Sequence, residues 1–544
     1  MQHFTFLLKK SWPLLLLFQL FIFSAAQAQQ ATVSGTVTST TGEPLIGVSV
    51  LLKGTSIGAQ TDVKGNYSLK TTNTKGTLVF TYIGFNTREE NIDGRNKINI
   101  QLTDNSKSLN EVVVLGYGTS NKKDVTGSVV SVKTSDLPQV AVTSVNNMLQ
   151  GQAAGLTLGT RSAQPGGGLT VSIRGSLSPN GDNSPLYVID GVPITSNASA
   201  VPSINDKDLG FYGGVDQDPL SSINPSDIQS VDVLKDASAT AIYGAAAANG
   251  VILVTTKRGK AGKAVVSYSG SYTIQNPKKY FDLLDATGFE TQQVRLAKDK
   301  YLYDNSLAPY GNTSPSTVAP FTPLFTQDQI NNAGRGTDWL GLIMRNGSVN
   351  EQNISVSGGT DKTKIFTSFN YYDNTAILEN SNFKRYSGRV NIDQQLGDRV
   401  KFSLNLTFSQ INSSNVATGS NSGGAEKYNE LQSAYTFAPN IGIYNPDGTY
   451  TKSYDNLITN PAAFFIIQNQ TTTNRFIASP NIEVKVTDDL KWNTIVGVDK
   501  QTGELNFYLP AKAQNYQLPD GMAQLATNHI ENYSAESYLT YTKK

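Results

Sequence analysis

The sequence has no cysteine and only two histidines, His3 and His529, in 544 residues. These absences exclude thiol catalysis, disulfide bonds and zinc sites built from cysteine and histidine. A Ser/His/Asp triad would have to use one histidine once a leader containing His3 is removed. The remaining titratable residues form no constellation typical of an active site. The sequence therefore predicts a protein that is not an enzyme and has no cofactor and no metal site.

An excess of charge is also missing, because 44 basic residues face 43 acidic ones. A nucleic-acid-binding protein normally carries a basic excess, so nucleic acid is excluded as a partner. After residue 28 there is no run of about 18 apolar residues, the length of a membrane-spanning helix. Membrane strands remain compatible with this composition, because a transmembrane β-barrel carries apolar residues only at alternate positions.

The first 28 residues have the pattern of a secretory signal peptide. Lys9 and Lys10 precede the apolar run 14–23, and Ala26-Gln27-Ala28 is a small-x-small cleavage site. The apolar run is about half the length that a spanning helix needs. An uncleaved anchor helix is therefore the weaker alternative.

Two stretches follow the leader. Residues 29–103 consist of short β-rich runs separated by turn residues, which predicts a small β-sandwich. A polar linker, residues 104–122, then carries an acidic residue and a β-branched run. This run is Glu111-Val112-Val113-Val114-Leu115. Without an obvious strand partner, it is a candidate for adding a strand to another protein's sheet edge. The alternative is that it forms the first strand of the next domain.

The third stretch, residues 123–260, mixes strands and helices. Strands are predicted at 128–132, 170–173, 186–189, 228–234 and 251–256, and helices at 144–150 and 238–243. Ser144 is placed to cap the first of these helices. Glycines stand where elements end, which indicates sharp turns or close backbone approach. These features predict a compact mixed α/β globule.

The fourth stretch, residues 261–544, consists of alternating strands joined by polar residues. Eight strands are predicted, at 265–274, 353–357, 364–372, 385–392, 401–410, 481–487, 493–498 and 533–542. In the clearest of them, Phe402, Leu404, Leu406 and Phe408 share one face and Ser403, Asn405, Thr407 and Ser409 share the other. Polar residues opposite the apolar face are typical of an outer-membrane barrel with a wet lumen. Gly397-Asp398 is predicted to be a short turn, and the polar segments 282–336 and 412–474 to be long loops at the opposite end.

Eight strands are too few to enclose the third stretch, because an eight-stranded barrel is filled by its own side chains. We therefore expect an open curved sheet with two edges, formed by the N-terminal part of a longer barrel. The predicted fold class is mostly β, with a small sandwich, a mixed α/β globule, which the resemblance given next implies is a plug, and antiparallel transmembrane strands of an incomplete barrel.

Several motifs resemble those of the SusC/RagA-like TonB-dependent receptors of Bacteroidetes outer membranes. In the first stretch, Val33-Ser34-Gly35-Thr36-Val37, Gly42-Glu43-Pro44-Leu45-Ile46-Gly47-Val48 and Gly65-Asn66-Tyr67 resemble the carboxypeptidase-regulatory-like domain. In the third stretch, the runs Val171-Ser172-Ile173-Arg174-Gly175, Tyr187-Val188-Ile189-Asp190-Gly191-Val192-Pro193 and Leu234-Lys235-Asp236-Ala237-Ser238-Ala239-Thr240-Ala241-Ile242-Tyr243-Gly244 resemble plug signatures, and the last continues through Ala248-Asn249-Gly250-Val251. The family usually has Ser-Arg after the last of these runs, whereas this chain has Ala245-Ala246, which we interpret as a local change in plug packing.

The resemblance implies an importer in the outer membrane with its N-terminal domain in the periplasm. The implied partners are TonB, which would pair with residues 111–115, a SusD-like lipoprotein, outer-membrane lipid, and a glycan or peptide cargo. The alternatives are a receptor that signals occupancy without net import and, behind it, a secreted adhesin. The plug signature residues are expected to be structural; they are Arg174, Gly175, Asp190, Gly191, Lys235, Asp236, Tyr243, Gly244, Asn249 and Gly250.

Three smaller interpretations complete the sequence picture. Arg174 and Asp190 are expected inside the plug or at its barrel interface, where a buried charge needs a partner; the alternative is that both are solvated. Weak candidates for ligand contact, by stacking on sugar faces, are Tyr301, Tyr303, Tyr310 and Trp339. Four acidic residues could hold a calcium ion, but we favour the interpretation that they are solvated loop acids. They are Asp206, Asp208, Asp216 and Asp218.

Overall fold

The computed structural model describes residues 31–53, 55, 57–71, 75–82, 85–103, 112–115, 118–121, 129–134, 143–160, 162–175, 183–194, 217–278, 281–416, 429–513 and 520–542. The predicted signal peptide, Glu111 and the acids Asp206, Asp208 and Asp216 lie outside these residues. The chain folds into two compact units, of which the first contains the N-terminal sandwich. No helix among the described residues is long and apolar enough to cross a membrane.

The first unit is a β-sandwich of two sheets, as predicted. One sheet has the order β4-β1-β7 and the other β3-β2-β5-β6. The strands are β1 (Ala31–Thr38), β2 (Ser49–Leu52), β3 (Gly58–Gln60), β4 (Asn66–Thr71), β5 (Thr77–Thr81), β6 (Arg88–Asn91) and β7 (Ile100–Gln101). Alternate apolar residues of both sheets fill the core, where the Tyr67 and Phe80 rings pack edge to face with centroids 5.4 Å apart. Burial raises the pKa of Tyr67 to about 12, and its hydroxyl donates to the Ile98 carbonyl over 2.8 Å.

The β-branched run of the linker forms a strand in this structure. β8 (Val112–Leu115) and β9 (Gly118–Asn121) make a two-stranded sheet of their own. The expectation that this run has no strand partner within reach is therefore corrected. The physical reason is proximity, since two intervening residues make the hairpin easy to close.

The mixed α/β part, described between residues 129 and 260, is called the plug below. Its main sheet has the order β10-β15-β16-β13-β14, and β11-β12 form a separate pair. The strands are β10 (Val129–Lys133), β11 (Leu156–Thr160), β12 (Leu169–Ile173), β13 (Leu186–Ile189), β14 (Val192–Ile194), β15 (Ile228–Leu234) and β16 (Val251–Thr256). The predicted strands 228–234 and 251–256 match β15 and β16 at both ends.

Helices in the plug are short. Ser144 caps the helix Val145–Met148 by accepting from the Asn146 amide, as predicted. The helix expected at 238–243 is an α-turn, Ala237–Thr240, followed by a 3-10 segment, Ala241–Ala247. The chain kinks there because Gly244 has φ +64°, a backbone conformation that glycine adopts readily.

All eight strands predicted after residue 261 are present, and they form one antiparallel sheet in sequence order. They are β17 (Gly262–Gln275), β18 (Gly347–Gly359), β19 (Thr363–Thr375), β20 (Asn382–Leu396), β21 (Val400–Ser414), β22 (Gln468–Lys485), β23 (Leu490–Leu509) and β24 (Met522–Tyr541). Within the described residues β17 and β24 are the two edges and do not pair with each other. The predicted open sheet and the mostly β fold class are therefore confirmed.

The connections of this sheet differ at its two ends. Residues 360–362, 397–399 and 486–489 make short turns at one end, including the predicted Gly397-Asp398 turn. The long connections at the other end contain the helices Ala286–Asp304, Gln327–Asn332, Trp339–Ile343 and Glu430–Thr436. Three of them, all but Trp339–Ile343, lie in the segments 282–336 and 412–474, which were expected to be polar loops. The first has only Ala286 and Glu290 buried, so it lacks the apolar stripe by which a sequence reveals a helix.

Candidate functional site: the interface between plug and sheet

The eight-stranded sheet has inverted polarity: it buries polar side chains on one face and exposes apolar side chains on the other. In β21, Ser403, Asn405 and Thr407 are buried, whereas Phe408 is 51% exposed. The same arrangement recurs in β20, where Arg385, Ser387, Arg389, Asn391 and Asp393 are all buried. The plug packs on this polar face and hydrogen-bonds to it. The polar face of the sheet is therefore a docking surface for the plug.

Arg385 of β20 is the principal anchor of the plug. Its guanidinium is completely buried and is the largest fully buried side chain of the described chain. It donates to the carbonyl oxygens of Thr143 at 2.9 Å, Ser221 at 2.7 Å and Ile223 at 3.3 Å. One side chain of the eight-stranded sheet thus binds two plug segments that are distant in sequence.

Asp218 ties the same two plug segments together from within. Its carboxylate accepts from the Ser144 hydroxyl at 2.7 Å, the Asn146 amide at 2.8 Å and the Leu220 backbone amide at 2.9 Å. Burial raises the pKa of Asp218, although these hydrogen bonds oppose the shift. The structure gives Asp218 a structural role inside the plug, whereas the sequence placed it among solvated or calcium-binding acids.

Asp190 and Arg389 form a second link between plug and sheet. The Asp190 carboxylate receives the Arg389 guanidinium at 2.8 Å and the Thr256 hydroxyl at 2.6 Å, and both charged side chains are almost completely buried. Burial acts to raise the pKa of Asp190, but the charges of Arg389 and Arg258, together with the hydrogen bonds from Thr256 and Arg389, hold the pKa below its ordinary value. Asp190 therefore lies at the plug–barrel interface, as one of the two sequence interpretations expected.

Arg475 of β22 provides a third link. It pairs with Asp499 of β23 through two bonds of 2.8 Å and donates to the Pro219 carbonyl at 2.8 Å. Arg385, Arg389 and Arg475 were not identified from the sequence. The signal in the sequence that could have identified them is an arginine at an inward-facing position of a strand whose other inward-facing residues are mostly polar.

Close apolar contacts complete the interface. Gly166 has φ +77°, and a Cβ atom there would lie 2.4 Å from the Phe383 ring of β20. A Cβ on Gly497 of β23 would lie 2.9 Å from the Val192 side chain of β14. Beside the present Phe383 and Val192 side chains, both glycines therefore let plug and sheet approach more closely than a larger residue would allow.

The other plug signature residues bind within the plug. Arg174 pairs with Asp236 at 2.5 Å, but its side chain is 54% exposed, so this ion pair is weak. Lys235 donates to the Ala154 carbonyl at 3.0 Å, and Asn249 to the Ser184 carbonyl at 3.4 Å.

Four signature residues shape the backbone or fill the plug core. Gly175 and Gly191 have φ near +90°, which favours glycine. At Gly250, with φ +93°, an added Cβ would lie 2.6 Å from Ile173. Tyr243 packs partly buried on the small core of Val188 and Leu253.

Of the four aromatic ligand candidates, the three tyrosines are at least partly exposed and Trp339 is buried. Tyr303 and Tyr310 are 68% and 52% exposed and pack edge to face with centroids 5.7 Å apart. Tyr301 is half-buried against Phe321. Trp339 is buried against Phe437 and donates to the Ala438 carbonyl at 3.1 Å, so its ring is part of a core and presents no surface to a ligand.

A second exposed surface at the same end was missed from the sequence. A cavity of about 550 Å³ is lined by Ile441, Asn445, Thr449, Thr451, Lys452, Ser453, Tyr454 and Asn456. The Tyr454 side chain is 63% exposed there. Among the residues that the structure describes, no group of three or more His, Asp or Glu side chains is placed to hold a metal ion.

Comparison with known proteins agrees with this architecture. The CarboxypepD_reg-like domain model matches residues 33–114, and the TonB-dependent Receptor Plug Domain model matches residues 121–251. TonB-dependent receptor P3 of Formosa agariphila is 33% identical over 98% of this chain and 48% of its own length. TonB-dependent receptor SusC of Bacteroides thetaiotaomicron is 33% identical over 97% of this chain and 50% of its own length.

Solved structures agree as well. The RagAB peptide importer in its open-open state superposes with a TM-score of 0.55 and 25% identity, over 73% of this chain and 43% of that chain. A plug bonded to the polar face of an antiparallel sheet, together with these matches, defines a TonB-dependent receptor. Within that class the chain belongs to the SusC/RagA-like receptors. It spans about half the length of the curated relatives it matches.

Proposed function

We propose that this receptor imports a large nutrient, an oligosaccharide or an oligopeptide, across the outer membrane. In this proposal TonB supplies the force and a SusD-like lipoprotein covers the outer face. The inverted polarity of the eight-stranded sheet carries the proposal. A buried polar face that binds the plug and an exposed apolar face are what a transporter wall needs between an aqueous lumen and lipid.

The apolar face supports the membrane location. Ile354, Ile365, Phe369, Phe408 and Phe476 are all at least 40% exposed and lie on four strands of the sheet, β18, β19, β21 and β22. An apolar surface of this extent is unusual in a water-soluble monomer. We therefore place outer-membrane lipid against it. The short turns then face the periplasm and the long connections face outward.

The hairpin of β8 and β9 supports the TonB contact. An isolated two-stranded hairpin is marginal in water, so exchange of β9 for a strand of TonB requires little free energy. Strand addition gives a grip by backbone hydrogen bonds that depends little on side chains. We assign residues 111–115 to this contact. The next described strand along the chain is β10, which is an edge strand of the plug sheet. Force applied to residues 111–115 therefore reaches β10.

Cargo and the lipoprotein are assigned to the end of the long connections. The exposed rings of Tyr303, Tyr310 and Tyr454 and the cavity beside Tyr454 lie there. Tyrosine supplies an apolar face and a hydroxyl together, which suits sugar rings and peptide side chains alike. The solved relative is described as a peptide importer.

The TonB contact is tested by capture of the purified periplasmic domain of TonB on the full-length receptor. Val113→Pro removes a backbone donor in the middle of β8 and is expected to abolish capture. Thr119→Pro is the matched control in β9, because it breaks the hairpin without altering residues 111–115. We expect this control to retain capture.

Equal capture by wild type and Val113→Pro would place the TonB contact elsewhere. Capture without receptor-dependent uptake of peptide or oligosaccharide mixtures would favour the alternative, a receptor that signals occupancy without net import. The two results separate energy coupling from transport.

A further inference from the structure

A buried carboxyl group without a hydrogen-bond partner lies among the long connections. Glu430 is the first residue of the helix Glu430–Thr436 and is completely buried. Neither of its carboxyl oxygens has a partner among the described residues. Such groups are rare, and each one calls for an explanation.

The segments that pack against the helix of Glu430 bury mainly apolar side chains. The helices Trp339–Ile343 and Glu430–Thr436 and the 3-10 segment Pro461–Ile466 pack together, and we call these three segments the loop core. Buried residues of this cluster are Trp339, Leu340, Ile343, Ala434 and Phe437. Neither Trp339–Ile343 nor Pro461–Ile466 contains an ionisable side chain, and the helix of Glu430 adds only Tyr435.

The nearby charges do not neutralise Glu430. Glu379 and Arg345 are the charged groups that act on it, and they already pair with each other at 2.9 Å. Arg345 also donates to the Ala376 carbonyl at 3.0 Å and to the Asn382 side chain at 2.9 Å. Its hydrogen bonds are therefore directed to groups other than Glu430. Asp338, which caps the helix of Trp339, is occupied by the Gly341 amide at 2.8 Å.

We propose that Glu430 is a pH-sensing group that keeps the loop core closed when it is protonated and loosens it when it ionises. The proton passes to solvent, and the carboxylate that remains cannot stay buried beside Glu379 without a hydrogen-bond partner. Burial, followed by the charge of Glu379, raises the pKa of Glu430 to about 8, and Arg345 opposes this shift.

The direction of the effect follows from the two protonation states. In an open loop core Glu430 has the ordinary pKa of a glutamic acid, about 4.3, which is far below its value in the closed state. The closed state therefore holds a proton that the open state releases, and opening becomes easier as the pH rises through that interval. Above the closed-state pKa both states are ionised, and the dependence levels off.

The pH-dependent loosening of the loop core would act on the outer surface that the loop core supports. The cavity beside Tyr454 begins at Ile441, which packs on the loop core. Loosening of the core at neutral to alkaline pH therefore changes a surface available to external molecules. This inference goes beyond import and holds whether the receptor transports or only signals.

Hydrogen exchange of the full-length receptor tests the proposal. Peptides covering residues 429–466 are followed between pH 6 and pH 8, after correction for the intrinsic exchange rate, with peptides around residues 397–399 as the internal reference. The opening equilibrium of wild type is expected to rise at least about 10-fold, with about 100-fold as the limit for one proton over two pH units.

Two variants separate ionisation from packing. Glu430→Gln keeps the shape without a charge, and Glu430→Met replaces the carboxyl by an apolar chain of similar length. Both are expected to lose the pH dependence, whatever their absolute protection. A wild-type loop core with no pH dependence, or the same rise in both variants, would overturn the proposal.

Discussion

At the scale of single residues, three buried arginines hold the plug on the sheet. Arg385, Arg389 and Arg475 project from the polar face of β20 and β22 into the plug. Arg385 bonds mainly to backbone carbonyls, so its binding depends on the plug backbone being folded. Arg389 instead binds a carboxylate, so its link depends on the charge of Asp190.

The first prediction concerns Arg385. Arg385→Met keeps an apolar stem but leaves three plug carbonyl groups without their donor. Each buried polar group left unsatisfied costs about 1–3 kcal/mol, so we expect a loss of at least about 2 kcal/mol in the free energy of unfolding. Denaturant unfolding of the purified receptor measures it. The neighbouring Lys384→Met alters a half-exposed ion pair and is expected to cost at most about 1 kcal/mol.

The second prediction concerns the charge of Asp190. Its pKa is lowered in the folded protein, so its stabilisation is fully present above about pH 4, the ordinary range of an aspartate, and is lost as the pH falls through the folded-state pKa. Asp190→Asn is expected to lower the melting temperature at pH 7. The difference from wild type should shrink on acidification.

A melting-temperature difference for Asp190→Asn that is independent of pH would contradict the charge-based link. Asp93→Asn is the matched control. Asp93 has a similar positive φ, 45° against 47°, but is exposed and belongs to the sandwich. We expect the control to change the melting temperature little at any pH.

At the scale of elements, hydrophobic periodicity decided which strands and helices could be predicted from the sequence. The alternation of Phe402 to Ser409 predicted strand β21 and its two faces, because a strand places successive side chains on opposite sides. The helix Ala286–Asp304 escaped prediction since it packs mainly near its first turn and carries no continuous apolar stripe. Long-range partners such as Arg385 and Thr143 are 242 residues apart, and no local pattern encodes their pairing.

The third prediction tests the close contact of the plug loop with β20. Gly166→Ala combines the strain of a positive φ with a Cβ placed against the Phe383 ring. The matched control is Gly397→Ala, where φ is +64° and an added Cβ meets nothing within 4 Å. We expect the control to cost about 1 kcal/mol from the backbone alone and Gly166→Ala about 1–3 kcal/mol more from overpacking. Equal losses in the free energy of unfolding, measured with denaturant, would show that the Phe383 ring moves aside without cost.

At the scale of the whole molecule, the chain combines a sandwich, a plug and an open sheet with inverted polarity. The fold class was predictable because each part has its own sequence texture. The candidate site was predictable only in part, because the signature motifs identify plug residues and say nothing about their partners on the sheet. The proposed import requires that the plug move relative to the sheet, whereas a passive receptor leaves it in place.

The most direct measurement uses a tether between plug and sheet, where these 544 residues have no cysteine of their own. In Val192→Cys with Gly497→Cys, the Cβ at 497 and the former Val192 Cγ1 are 2.9 Å apart, close enough for a disulfide once the Ser534 hydroxyl rotates. Receptor-dependent growth on a peptide or oligosaccharide mixture is compared with and without reductant. Val192→Cys alone is the control, because a cysteine at Gly497 would clash with an intact Val192 side chain.

The account predicts that growth stops in the oxidised double variant and returns on reduction, while Val192→Cys alone grows in both conditions. Undiminished growth with the disulfide formed would contradict the account, because cargo would then pass without separation of β14 from β23.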